Sequence, residues 1–139
     1  MQIRKVTVFD LQQICAIEAV SHATPWTLND FVSELDRTDS EFWLICDENN
    51  RVQGYIVFRL ILNECYLINI TVSGSWRRRG IGSLLMQHMI TRAGKCGCDR
   101  IVLDVRRNNV AASAFYEKWG FEPAGGPGSS ADYVMTKNI

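Results

Sequence analysis

One segment constrains this chain more than any other: an apolar run over residues 65–72, the turn Arg77-Arg78-Arg79-Gly80-Ile81-Gly82, and the helical run behind it. Residues 65–72 are rich in β-branched side chains and read as a strand. Ser73-Gly74-Ser75 closes it. From Gly80 to about residue 93 the apolar period becomes helical, which predicts Ile81, Leu84, Leu85 and Met89 on one face, with Gly94 or Gly97 ending the helix. A helix N-terminus carries free N–H donors and about half a positive charge. Gly80 and Gly82 let an anion such as pyrophosphate come close to the backbone, and Arg77, Arg78 and Arg79 add charge-assisted donors. The other reading of the same residues is a basic, solvated turn that simply leads into a helix. Two nucleotide motifs are ruled out. No Gly-Lys-Ser/Thr follows, and Leu85 stands where a dinucleotide fingerprint would carry its third glycine.

The rest of the chain builds a layered domain around that segment. Residues 3–8 alternate as a short strand, and Asp10 is expected to cap the helix that follows. Leu11, Ile14, Cys15 and Ala19 repeat at helical spacing. Thr24-Pro25-Trp26 breaks that helix, and Thr27 or Asn29 can cap a second, ending near Leu35. Strands over 42–46, 52–62 and 65–72, joined by the turns Asp47-Glu48-Asn49-Asn50 and Asn63-Glu64, read as an antiparallel meander, with Gly54 inside the second strand. A strand over 101–105, a helix over 109–119 ended by Gly120, a Gly/Ser loop over 125–130 and a last strand over 133–135 complete the order β-α-α-β-β-β-α-β-α-β. With no repeat and no linker, this predicts one domain over residues 1–139: a mixed-sheet α/β fold with helices on both faces.

Composition excludes several classes. The chain has 139 residues, 47% hydrophobic and 22% charged, which suits one core without staples. Its 15 basic and 15 acidic side chains cancel, so no global charge favours nucleic acid or an anionic membrane, and neither partner is expected. No apolar run approaches the roughly 20 residues that span a bilayer, and the N-terminus lacks a leader's apolar stretch, which predicts a cytoplasmic protein. Five cysteines form no disulfide framework and are expected to be reduced, buried thiols. Cys96-Gly97-Cys98 has no second Cys or His pair to complete a metal site, so no metal is expected.

The pattern Arg77-x-x-Gly80-x-Gly82 resembles the acetyl-CoA pyrophosphate motif of the GNAT acetyltransferase superfamily, and the element order matches that fold over essentially the whole chain. Several segments are similar to the ribosomal-protein-alanine N-acetyltransferase family: Thr24-Pro25-Trp26, Asn69-Ile70-Thr71-Val72, Trp76 through Gly82, Asp104-Val105-Arg106, Asn109 with Ala111-Ala112, and Phe115-Tyr116-Glu117-x-x-Gly120-Phe121. The resemblance implies a largely antiparallel sheet with a splayed central strand pair and acetyl-CoA as cosubstrate. It places the pyrophosphate at Arg77, Arg78, Arg79, Gly80, Ile81 and Gly82. It places the pantetheine arm along the backbone of Ile70, Thr71 and Val72, with the Asn109 side chain also touching the cofactor.

Acetyl transfer to an amine needs a proton acceptor for the amine, a polarised carbonyl and a proton for the departing thiolate. From residue type alone, Tyr116 is either a core tyrosine or an acid, and the resemblance implies the acid. Asp104 interrupts a strand that otherwise reads as buried. It either pairs with Arg106 or Arg107 or acts as the base, directly or through a water. The family carries a glutamate there, one methylene longer. Asn109 is at least a helix cap. His22 and His88 are expected to lie outside the chemistry. The implied activity is transfer to a protein's N-terminal α-amino group, an alanine of a small-subunit ribosomal protein being the family's case, by a monomer or weak dimer. Two alternatives stand: a small amine or protein lysine as acceptor, or a CoA-binding module without turnover. The family's tyrosine-rich loop is here the tyrosine-free stretch 122–130.

Overall fold

A computed structural model describes residues 1–124 and 132–139. The strands are β1 (Gln2–Lys5), β2 (Ser40–Cys46), β3 (Val52–Ile61), β4 (Glu64–Val72), β5 (Arg100–Arg106), β6 (Glu122–Pro123) and β7 (Asp132–Asn138). The helices are α1 (Leu11–Ser21), α2 (Leu28–Leu35), α3 (Ile81–Lys95) and α4 (Val110–Lys118). The strands form a seven-stranded sheet in the order β1-β2-β3-β4-β5-β7-β6. Every neighbouring pair is antiparallel except β4 and β5. The expected Gly/Ser loop over 125–130 lies outside the described residues.

Period-two alternation sorts the sheet's side chains onto two helical layers. Phe42, Leu44, Tyr55 and Val57 pack with Leu11 and Ile14 of α1 and Phe31 of α2. Ile45, Ile56 and Phe58 pack on the other face with Ile81, Leu85, Met86 and Met89 of α3. Helices on both faces of one sheet are what the order of elements predicted.

Two features of β4 position the site. The parallel pairing with β5 covers only Glu64↔Arg100, Cys65↔Ile101 and Tyr66↔Val102, after which both strands continue unpaired with each other and splay apart. The β3–β4 register also slips between Val57 and Phe58: Phe58 faces Leu67 and Val57 faces Asn69, so Ile68 is an extra residue in β4. Such a bulge reverses the facing of everything beyond it. Cys65 and Leu67 pack in the α3 layer, as do Ile70 and Val72, whereas Asn69 and Thr71 turn toward α1.

The capping of α2 follows the sequence: Thr27 accepts from Asp30 N–H at 3.2 Å, and Asp30 accepts from Thr27 N–H at 2.8 Å. Three expectations are corrected. Asp10 does not cap α1. Its carboxylate accepts two bonds from Arg4, at 2.8 and 2.9 Å, and one from Thr7 N–H. That bonded guanidinium holds the Asp10 carboxyl below its ordinary pKa, against the opposing effect of burial. Leu84 is 45% exposed, and the inward face of α3 is Ile81, Leu85, Met86, Met89 and Ala93. On α1 Ala19 is exposed, while Glu18 beside it is only 1% exposed. The cysteines are free; Cys46, Cys65 and Cys98 are buried, Cys15 is half-buried and Cys96 is exposed. Among the described residues no group of three or more His, Cys, Asp or Glu could hold a metal.

Candidate active site

The turn before α3 has the geometry of an uncapped helix N-terminus. Gly80 is the N-cap residue with φ +81°, a left-handed conformation that favours glycine, and no side chain caps the helix. A Cβ at Gly80 would meet no heavy atom within 4 Å, so the approach is open. Arg78, also left-handed at φ +62°, reverses the chain. Arg77, Arg78 and Arg79 are all exposed. Arg77 Nε donates to Val72 O at 3.4 Å, and the Arg79 guanidinium lies 5.1 Å from the Trp76 ring centre. Donors and charge are therefore presented together, as an anion site requires.

This turn connects to the splayed strands through Gly82. A Cβ there would lie 3.5 Å from the Phe115 ring and 3.7 Å from Val72 Cγ2. Where β3 meets α3 the packing is closer still. A Cβ on Gly54 would come within 2.9 Å of Ile81 Cγ2 and 3.0 Å of Thr71 O, so only glycine lets β3 pass beneath the start of α3. Phe115 in turn contacts Tyr116, with ring centres 5.7 Å apart.

Tyr116 opens onto a cavity of about 630 Å³. The segment after α1 (His22 to Trp26), Ile68 and Asn69 of β4, Asp104 and Arg106 of β5, and Asn109 and Tyr116 of α4 contribute to its walls. Burial pushes the Tyr116 phenol up to about 12, so the hydroxyl keeps its proton at working pH. Asn109 is the N-cap of α4, accepting from Ala112 N–H at 3.2 Å. Asp104 needs a correction in its setting. β5 alternates rather than being buried throughout: Ile101, Leu103 and Val105 point inward, and Asp104 is exposed on the cavity side. A carboxylate there keeps its hydration and needs no buried partner.

The opposite wall holds a network that residue patterns did not predict. Glu18 Oε1 accepts from the Tyr55 hydroxyl at 2.6 Å and from Asn69 Nδ2 at 3.0 Å, and Glu18 Oε2 accepts from Trp26 N–H at 3.1 Å. Thr71 Oγ1 donates to Asn69 Oδ1 at 2.8 Å, and His22 Nε2 lies 2.8 Å from Thr71 Oγ1. Burial and the bond to Glu18 raise the Tyr55 phenol well above its ordinary range. A signal is present in the sequence. Leu11, Ile14 and Glu18 follow the i, i+3, i+7 spacing of one helical face, and a carboxylate there needs partners. His22 follows one turn later. His88 lies elsewhere, edge-on to Trp43 at 4.3 Å, beside a separate apolar cavity of about 380 Å³.

Comparison with known proteins matches residues 6–121 to the family described as Acetyltransferase (GNAT) family. The [ribosomal protein bS18]-alanine N-acetyltransferase of Escherichia coli K12 is 34% identical over 115 residues, covering 83% of this chain and 76% of that protein. The crystal structure of the ribosomal-protein-S18-alanine N-acetyltransferase from Escherichia coli superposes with a TM-score of 0.87 at 28% identity, covering 99% of this chain and 93% of that one. A PaiA N-acetyltransferase of Thermoplasma acidophilum, solved in complex with coenzyme A, has the same fold, with a TM-score of 0.85 at 21% identity and coverage of 99% and 98%.

Proposed function

Since the chain belongs to the acetyltransferase (GNAT) family and its relatives are N-acetyltransferases, we propose that it transfers the acetyl group of acetyl-CoA to the N-terminal α-amino group of a protein, of the ribosomal-protein-alanine type. The observation that carries this reading is that the uncapped α3 turn sits with Gly82 against Phe115 and Val72, and that Tyr116, next to Phe115, lines a cavity that also holds Asp104. The names of the similar proteins, and the coenzyme A bound by one of them, support the donor and the acceptor class.

Acetyl-CoA supplies an acetyl thioester whose sulfur is the leaving group. The α3 turn, with Gly80, Ile81, Gly82 and the three arginines, holds the pyrophosphate through backbone N–H groups and guanidinium charge. Beyond Tyr66 the β5-facing edge of β4 has no strand partner among the described residues, so the backbone around Ile70, Thr71 and Val72 is open to receive the pantetheine arm, with Asn109 touching it from α4. Asp104 attracts the acceptor's ammonium and takes a proton from it, directly or through one water. The freed nitrogen forms a bond to the acetyl carbon, the carbon–sulfur bond breaks, and Tyr116 gives its hydroxyl proton to the sulfur; the second proton shed by the new amide nitrogen restores the Tyr116 hydroxyl.

The deciding experiment is acetyl transfer to a panel of N-terminal peptides, lysine peptides and small amines, read by mass spectrometry. Product on an alanine-first peptide at its α-amino nitrogen is expected. Tight acetyl-CoA binding with no product on any acceptor would sink the reading. Tyr116→Phe is expected to keep acetyl-CoA affinity by calorimetry and to lower kcat on the order of 10²–10⁴-fold, the range of a positioned acid. Unchanged turnover would remove Tyr116 from the mechanism.

A further inference from the structure

The network at Glu18 fixes the direction of every hydrogen bond as far as His22. A carboxylate accepts and does not donate, so the group 3.0 Å from Glu18 Oε1 must be the amide nitrogen of Asn69. That leaves Asn69 Oδ1 toward Thr71. A carbonyl oxygen only accepts, so Thr71 spends its single proton there, at 2.8 Å. Thr71 Oγ1 can then only accept from His22, 2.8 Å away, and His22 Nε2 must carry the hydrogen. In a neutral imidazole the other nitrogen is then a lone-pair acceptor. Nδ1 has no hydrogen-bond partner among the described residues, and the His22 side chain is 38% exposed in the cavity wall.

The same geometry accommodates the protonated ring. His22 Nε2 lies 3.6 Å from Glu18 Oε1, so an imidazolium formed by uptake of a proton at Nδ1 has a buried carboxylate beside it. A buried acid that fixes a histidine's tautomer and stabilises its cation recurs wherever an imidazole takes up a proton during a reaction.

We propose that His22 is a second catalytic residue that shares with Asp104 the deprotonation assigned to it above, accepting the ammonium's proton on Nδ1 while the Asp104 carboxylate attracts the cation and the Glu18–Asn69–Thr71 chain keeps Nε2–H in place. The inference rests on the transfer proposed above. In the step, one ammonium N–H bond breaks and an Nδ1–H bond forms. The positive charge passes from substrate to ring, and the amine's electron pair is left free to attack the thioester. The titratable and charged groups around the ring are Glu18 on α1, Tyr55 on β3 behind it, and Asp104, Arg106 and Tyr116 across the cavity; β4 faces it with neutral Asn69 and Thr71.

Two measurements test it. The first needs no turnover: nitrogen NMR of the free protein at alkaline pH should show the neutral His22 ring protonated at Nε2. A ring protonated at Nδ1 would overturn the proposal even if no acceptor were ever found. The second is the pH profile of kcat/KM for His22→Gln, which retains an N–H donor for Thr71 and has no basic nitrogen. At about pH 7 the variant should be on the order of 100-fold slower, and the deficit should shrink above the acceptor amine's own pKa, about 8, where no proton need be removed. Melting temperature and acetyl-CoA affinity should stay close to the wild type. No loss at pH 7, or an equal loss at every pH, would overturn the proposal. So would a pH-dependent deficit confined to Asp104→Asn. Absence of transfer by the wild-type protein to any acceptor would count instead against the function proposed above.

Discussion

The turn at Arg77–Gly82 and the polar wall from Glu18 to Thr71 use opposite faces of the same strand, β4, and are built in opposite ways. The turn is local and exposed. Its six residues are consecutive, its arginines reach solvent, and its first helical donors have no side-chain cap. The wall is assembled from α1, β3, β4 and the segment after α1. Its carboxylate is buried and accepts three hydrogen bonds. An exposed anion site uses charge that water would otherwise solvate, so it adds little to folding and much to binding. A buried network is costly if any partner is missing, so it is tied to folding first and to function through the geometry it imposes.

Four substitutions probe that contrast. Glu18→Ala would leave the Tyr55 hydroxyl, the Asn69 amide and Trp26 N–H without their acceptor, and should cost at least about 3 kcal/mol, at about 1–3 for each group left unsatisfied. Urea unfolding measures it; a loss below about 1 kcal/mol would mean the wall does not depend on its carboxylate. Gly82→Glu should weaken acetyl-CoA binding by about 100-fold or more, close to 2.7 kcal/mol, since it puts a bulky negative side chain beside Phe115 and Val72 at the helix start. Unchanged affinity by calorimetry would move the site away from α3.

Gly54→Ala joins the two regions, because its Cβ would press on Ile81 at the turn and on Thr71 O at the wall. It should lower stability by about 1–3 kcal/mol, as overpacking does, and weaken acetyl-CoA binding too. A stability loss with binding untouched would show that the turn does not depend on its seat against β3. The smallest effect is expected from Arg79→Ala. Exposed and stacked on Trp76, it should change stability by less than about 0.5 kcal/mol while weakening acetyl-CoA several-fold. If thermal melting fell by as much as in Gly54→Ala, the turn would be structural after all.

The same contrast explains which parts are legible in the sequence. The helix at residue 81, the meander, the Thr27 cap and the glycine turn depend on neighbours in the chain, and each follows its expectation closely. Asp10, Leu84 and Asp104 depart from expectation because the environment of each depends on a partner or a face supplied from elsewhere. Asp10 pairs with Arg4, Leu84 meets solvent, and Asp104 falls on the open side of an alternating strand. The spacing of Glu18 on α1 marks it as buried, but its role requires Asn69, which only the bulge at Ile68 turns toward α1.

By itself, then, the sequence determined the order of the helices and the longer strands and the glycine turn before α3, because these are set by periodicity and by consecutive residues acting through their own backbone; the candidacy of Tyr116 came from the family resemblance of its segment. Only the tertiary structure decided what lines the cavity beside Tyr116. The splay of β4 from β5 and the one-residue slip at Ile68 are properties of strand pairing, and they bring Glu18, His22, Asn69 and Thr71 to the cavity holding Asp104 and Tyr116. The register between strands, which one residue can reverse, is what chain order alone leaves open.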